Sequence, residues 1–189
     1  MIEYTSIAIS ILALSVSTLT LWFTLLRRGK LKMTKPTVIF FGYDFTPNAT
    51  PKVFLRTLLF STGEQGNVIE SMYAQIFHDQ RSETFSFWGY GDKNDLVPGS
   101  GLYVSKAGVS LNHHFVLSMS RPNYSFEQGD YTIEVYAKTV GKAKSSKLST
   151  IKIHLKSEHA TALSRQDGVL FELAPESQEY VGRTNERNI

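Results

Sequence analysis

The chain has 189 residues, 42% of them apolar, 20% charged and 12% aromatic, with a formal net charge of +3 and no cysteine. That length suits one ordinary domain with an appendage, and the composition excludes collagen-like, low-complexity and wholly disordered chains. Without cysteine there is no disulfide scaffold, no Cys-ligated zinc or iron–sulfur centre and no cysteine nucleophile.

Residues 1–26 read as an N-terminal transmembrane α-helix. No charged residue lies between Tyr4 and Leu26, and the twenty residues Ile7–Leu26, IAISILALSVSTLTLWFTLL, would span about 30 Å as a helix, the thickness of a hydrocarbon core. The preceding MIEYTS carries no Lys or Arg, the apolar run exceeds a signal-peptide core, and no small-x-small cleavage site follows, so the segment reads as a retained anchor. Arg27, Arg28, Lys30, Lys32 and Lys35 follow the helix and no basic residue precedes it. That asymmetry predicts an outside N-terminus and a cytoplasmic C-terminal domain, with residues 27–35 a basic juxtamembrane linker attracted to anionic headgroups. Trp22 falls at the headgroup level on the basic side, and Tyr4 at the opposite interface.

Small side chains recur along the span. Ser6, Ser10, Ala13, Ser17, Thr20 and Thr24 are spaced 4, 3, 4, 3 and 4, a seam of the kind that packs helices together in lipid. The partner would be a second copy of this chain or another membrane helix. The alternative is that each hydroxyl bonds the carbonyl four residues back and the helix stands alone.

Five of the 20 Lys and Arg lie between Arg27 and Lys35, and one of the 17 acids precedes Pro36, which leaves 15 basic and 16 acidic side chains from Pro36 onward, a net of −1. The positive charge is therefore juxtamembrane, and nucleic-acid binding is not expected.

From Pro36 the periodicity changes to two, punctuated by Gly, Pro, Asn and Asp. Strands are predicted over 37–43, 52–61, 68–78, 84–90, 102–105, 110–119, 131–139, 148–156 and 169–173, with no long amphipathic helix between them. This pattern predicts an all-β domain over residues 36–173, an antiparallel sandwich of about seven to nine strands. Tyr131, Ile133, Val135 and Ala137 alternate with Thr132, Glu134, Tyr136 and Lys138, and Ile151, Ile153 and Leu155 with Lys152 and His154, so the two strands form a hairpin with one buried face. VFLRTLLF, Val53–Phe60, is apolar on both faces except at Arg56 and Thr57 and reads as a central strand.

Glu127, Gly129, Tyr131 and Ile133, in EQGDYTI, resemble the approach to strand F of immunoglobulin-like domains, Asp-x-Ala-x-Tyr-x-Cys. The resemblance implies that Tyr131 is a structural corner whose hydroxyl bonds back to the chain, with Ile133 at the position of the second cysteine. FSTGEQGNVIE, Phe60–Glu70, resembles the strand B to C turn of bacterial modules of that superfamily. An immunoglobulin-like sandwich would turn its B–C and F–G loops toward the membrane, and Lys142 and Lys144 would then join the lipid-facing charge. The alternative is an ordinary solvated turn. Residues 174–189, polar and aperiodic, read as a disordered tail.

Catalytic and metal motifs are scarce. His113 and His114 are adjacent on a strand, so they face opposite ways and cannot chelate one metal together. Asp92, Asn94 and Asp95 read as an Asx turn rather than a calcium loop, and the Gly-x-Gly pieces at Gly89 and Gly99 open no helix. Asn48 and Asn123 head glycosylation sequons. No cofactor and no enzymatic activity are expected. In the region 85–104, Trp88 and Tyr90 form a candidate binding loop unless a ring is buried.

These features point to a single-pass, membrane-anchored, non-catalytic binding or assembly module, lipid-associated and recruiting a protein partner through a sheet edge or the Trp88 loop. Two other readings remain at this point. One is an oligomeric membrane effector or pore with a sensing β-domain; the other is an envelope-facing protein- or glycan-binding domain of reversed topology.

Overall fold

The computed structural model describes residues 2–26, 29–45, 49–90, 96–99, 101–118 and 124–185, the side chains of residues 2, 3, 26 and 90 excepted. Helix α1 (Ile2–Leu21) ends in a π-helical turn, Trp22–Leu26. The strands follow as β1 (Leu31–Met33), β2 (Val38–Asp44), β3 (Thr50–Ser61), β4 (Asn67–His78), β5 (Arg81–Tyr90), β6 (Leu96–Pro98), β7 (Leu102–Val104), β8 (Val109–Leu117), β9 (Gly129–Thr139) and β10 (Ser146–Leu155). Helix α2 (Ser157–Ser164), β11 (Gly168–Leu173) and β12 (Tyr180–Asn185) close the chain.

All the strands belong to one antiparallel sheet in the order β10-β9-β4-β5-β8-β3-β2-β11-β12, with β1 on β3, β6 on β5 and β7 on β4. The expected two facing sheets are thus replaced by a single sheet that curls on itself. The curl shows in Phe41 of β2 and Tyr131 of β9, whose ring centroids lie 5.8 Å apart although four strands separate β2 from β9 in the sheet. A strand pattern reports which residues alternate in and out, and a tightly curled sheet alternates as two sheets do.

Alternation builds the core. Val53, Leu55 and Leu59 of β3, Ile133 and Val135 of β9 and Ile151, Ile153 and Leu155 of β10 all turn inward and are buried. Phe41 is the hub, edge-on to Phe126, Tyr131 and Phe171 at 5.2, 5.8 and 5.8 Å, and each such contact adds about 1 kcal/mol to the area it buries. Tyr131 combines both kinds of constraint. Its ring stacks on His78 at 4.2 Å, while its hydroxyl donates to Glu127 O at 2.9 Å and accepts from Glu127 N–H at 2.8 Å. The loop ahead of β9 is tied down by those two bonds.

The structure adds a short strand, β6, within the region 85–104, and extends the sequence reading in three further places. Residues 31–33 of the expected linker pair with β3. Residues 180–185 of the expected disordered tail form β12, paired with β11 along its length, and the Tyr180 hydroxyl donates to Pro36 O at 2.8 Å. The strand forms because β11 offers a free edge and Tyr180 an anchor, neither visible in a polar sequence. Helix α2 lays Ala162 and Leu163 into the core, with its buried His159 edge-on to Phe171 at 5.3 Å.

Strand β8 departs from simple alternation, since five successive side chains from His113 to Leu117 are buried. His113 lies 6.2 Å from the Phe87 ring and His114 5.3 Å from Phe54, on opposite sides of the sheet. On the outer side Phe40 stacks on Phe54 at 4.9 Å and also covers two glycines: a Cβ at Gly42 or Gly168 would fall within 2.5 or 2.4 Å of its ring.

Burial holds both β8 histidines neutral, with pKa values lowered to about 4, His114 being further lowered by Lys52 and His113. The unfolded chain takes up their protons near pH 6.5 whereas the folded one resists until about 4, so stability is full above 6.5 and is lost as pH falls through that window. The slope is up to about 1.4 kcal/mol per pH unit for each histidine. Urea unfolding of the detergent-solubilised chain should show this decline, and His114→Phe should remove about half of it; a stability unchanged down to about pH 5 would contradict the assignment.

Candidate membrane-proximal site

The apolar stretch Tyr4–Leu25 is one continuous 22-residue span, long and apolar enough to cross a membrane, and none of it is buried against the sheet. Trp22 is exposed at its end, and Tyr4 at its start. Several of its hydroxyls are turned back on the helix itself: Ser10 donates to Ser6 O at 3.0 Å, Thr20 to Val16 O at 2.8 Å and Thr24 to Thr20 O at 2.7 Å. Ser15 and Thr18, off the seam, do the same. Three of the seam's five hydroxyls, those of Ser10, Thr20 and Thr24, thus find a partner within the helix itself.

Beyond the span, the β3–β4 turn grips the chain. Gln65 Nε2 donates to Leu25 O at 2.7 Å, and Asn67 Nδ2 donates to Gly29 O at 3.3 Å and to Ser61 Oγ at 2.8 Å. Thr62 accepts from Lys30 N–H through Oγ1 at 2.8 Å and donates its own N–H to Lys30 O at 3.0 Å. Strand β1 follows at once, with Leu31 opposite Ser61 and Met33 opposite Leu59. Gly29 is what permits this approach, because a Cβ there would lie 1.9 Å from Gly63 N. The sequence marked Phe60–Glu70 as a turn; nothing in it marked Thr62, Gln65 and Asn67 as a clamp on residues 32 to 40 positions earlier.

The clamp places the lysines that follow the apolar helix. Between β1 and the β9–β10 hairpin is a cleft of about 350 Å³ lined by Lys30, Lys32, Lys142 and Lys147, with Thr139 and Ser146 alongside and Leu31, Ala137 and Leu148 as apolar walls. Lys147 is paired with Glu134 Oε1 at 2.8 Å, which raises the lysine pKa and, together with the Tyr136 hydroxyl, lowers that of Glu134. Among the described residues, Lys30, Lys32 and Lys142 carry no ion pair. Lys144 is exposed on the same turn but does not line the cleft. Lys35 lies elsewhere, donating to Gln178 O at 2.6 Å and resting 5.4 Å above the Tyr180 ring. Arg27 and Arg28 lie outside the described residues.

A second opening, about 690 Å³, runs beside the outer edge of β10, from Ser149 to His154, and faces Lys35 and Gln178–Tyr180. Among the described residues β10 ends the sheet and pairs only with β9, so this edge presents unpaired backbone groups.

The remaining candidates do not converge. Trp88 stands on β5, not in a loop, half-buried and in register with His114 on one side and Pro98 on the other. Tyr90 is the last residue of β5, with its side chain outside the description, as are Asp92, Asn94, Asp95 and the sequon residues Asn48 and Asn123. Among the described residues no three His, Asp or Glu side chains gather as a metal site. No family model matches the chain, and neither a curated protein nor a solved structure does.

Gly29→Ala should drive β1 away from Gly63. In nanodiscs the variant should be cut by trypsin after Lys30 and Lys32 about tenfold faster or more, the measure of a local opening made easier by about 1.4 kcal/mol. An unchanged cutting rate would show that the clamp does not hold this segment.

Proposed function

We propose that the chain is a single-pass, non-catalytic binding module, anchored by α1 with its N-terminus outside and its β-domain held against the cytoplasmic membrane surface. The observation that carries this reading is the clamp at Gly29–Met33: it converts a tether into a short fixed joint, so that the face bearing Lys30, Lys32 and Lys142 stays beside the lipid. Charge asymmetry supports the orientation, since every basic residue flanking the span follows it. Each cation near an anionic leaflet adds about 1 kcal/mol. The open β10 edge is the surface suited to a protein partner, because an extended segment can add to it as a further strand. The Tyr131 corner and the β9–β10 hairpin support an immunoglobulin-like kinship.

Protease added to intact cells should leave the β-domain whole, and added to inverted membrane vesicles should digest it. Digestion in intact cells would reverse the orientation.

A further inference from the structure

Resting on that membrane-bound reading, we infer that the cleft between β1 and the β9–β10 hairpin is a binding site for a headgroup bearing more than one phosphate. The cleft is built from two walls that are far apart in sequence. Lys30 and Lys32 stand on one, and Lys142 on the other. An exposed lysine on a flat surface meets a monovalent lipid about as well in any position; cations on opposing walls favour a ligand with charge on several sides. Lys147, the fourth lysine, is already neutralised by Glu134, so three ammonium groups remain for the ligand. Thr139 and Ser146, which carry hydroxyls, also line the cleft.

Size and placement agree with this assignment. About 350 Å³ suffices for a phosphorylated polar ring and leaves no room for acyl chains. Lys30 lies five residues beyond Leu25, the end of the apolar stretch, which on the anchored reading sets it among the headgroups. The walls are also pre-set: Lys30 is held at its backbone by Thr62, and β1 is fixed in register on β3, so binding need not order the segment.

Lys142 and Lys144 separate this site from general surface attraction. They share one turn and one charge, yet only Lys142 lines the cleft. A simple basic surface would feel their loss equally. The full chain in phosphatidylcholine nanodiscs should be compared with nanodiscs containing a phosphoinositide bisphosphate and with nanodiscs containing phosphatidylserine at matched surface charge. Hydrogen exchange at residues 30–33 and 139–148 reports occupancy.

The bisphosphate lipid should slow exchange there well beyond phosphatidylserine. Lys142→Gln should weaken the effect several-fold and Lys144→Gln should not. Lys30→Gln, Lys32→Gln and Lys142→Gln together should weaken it about a hundredfold, the sum of three cations at about 1 kcal/mol each. Soluble inositol trisphosphate added to neutral nanodiscs identifies the source: weaker protection than from the lipid assigns a membrane headgroup, and equal protection a free polyphosphate, the cleft being the site in both cases. Equal protection by phosphatidylserine, equal effects of Lys142→Gln and Lys144→Gln, or no protection by either phosphate compound would overturn the assignment. Such a failure leaves the anchored orientation standing, because protease accessibility decides that separately.

Discussion

Everything distinctive about this molecule follows from the return of the chain onto the end of β3 soon after the apolar helix. Gly29 passes within van der Waals distance of Gly63, the β3–β4 turn bonds Leu25, Gly29 and Lys30, and β1 completes the union with three paired residues. Two backbones can approach so closely only where one lacks a side chain. A tether of the nine residues 27–35 would let a domain wander over about 16 Å; the clamp replaces that freedom with one orientation. Location and chemistry are thereby coupled, since the residues that fix the domain also carry the lysines that line the cleft.

The other end of that orientation is the core. Because the sheet curls, β2 and β9 meet across it, and Phe41, Phe126 and Tyr131 fill the space between. Tyr131 contributes area through its ring and specificity through its hydroxyl, which fixes Glu127 at the mouth of β9. The hairpin that begins there ends in the turn carrying Lys142.

Much of this was legible in the residues. The nine strands read from period-two alternation are all present, the β9–β10 hairpin included, because burial of one face leaves a clear signature. The bond of the Tyr131 hydroxyl back to the chain was expected from the resemblance of EQGDYTI to the approach to strand F. What escaped were elements whose partners, not their own composition, make them form. LKM at 31–33 is too short to show a period, YVGRTN at 180–185 is polar because it is an edge, and SEHATALS at 157–164 shows little more than two turns. The site was half legible. Lys30, Lys32 and Lys142 could be named from charge, but their convergence depends on register between β1 and β3, and the separation of Lys35 depends on a bond to Gln178. Single curled and double flat sheets also alternate alike, so the sandwich expectation stopped short of the topology.

A distance between the span and the sheet tests the clamp most directly. The chain has no cysteine, so Leu21→Cys with Ser110→Cys gives two clean spin-label positions, one at the end of α1 and one on exposed β8. In lipid nanodiscs the account expects one narrow distance distribution. A broad distribution, of the width a nine-residue flexible tether allows, would contradict it.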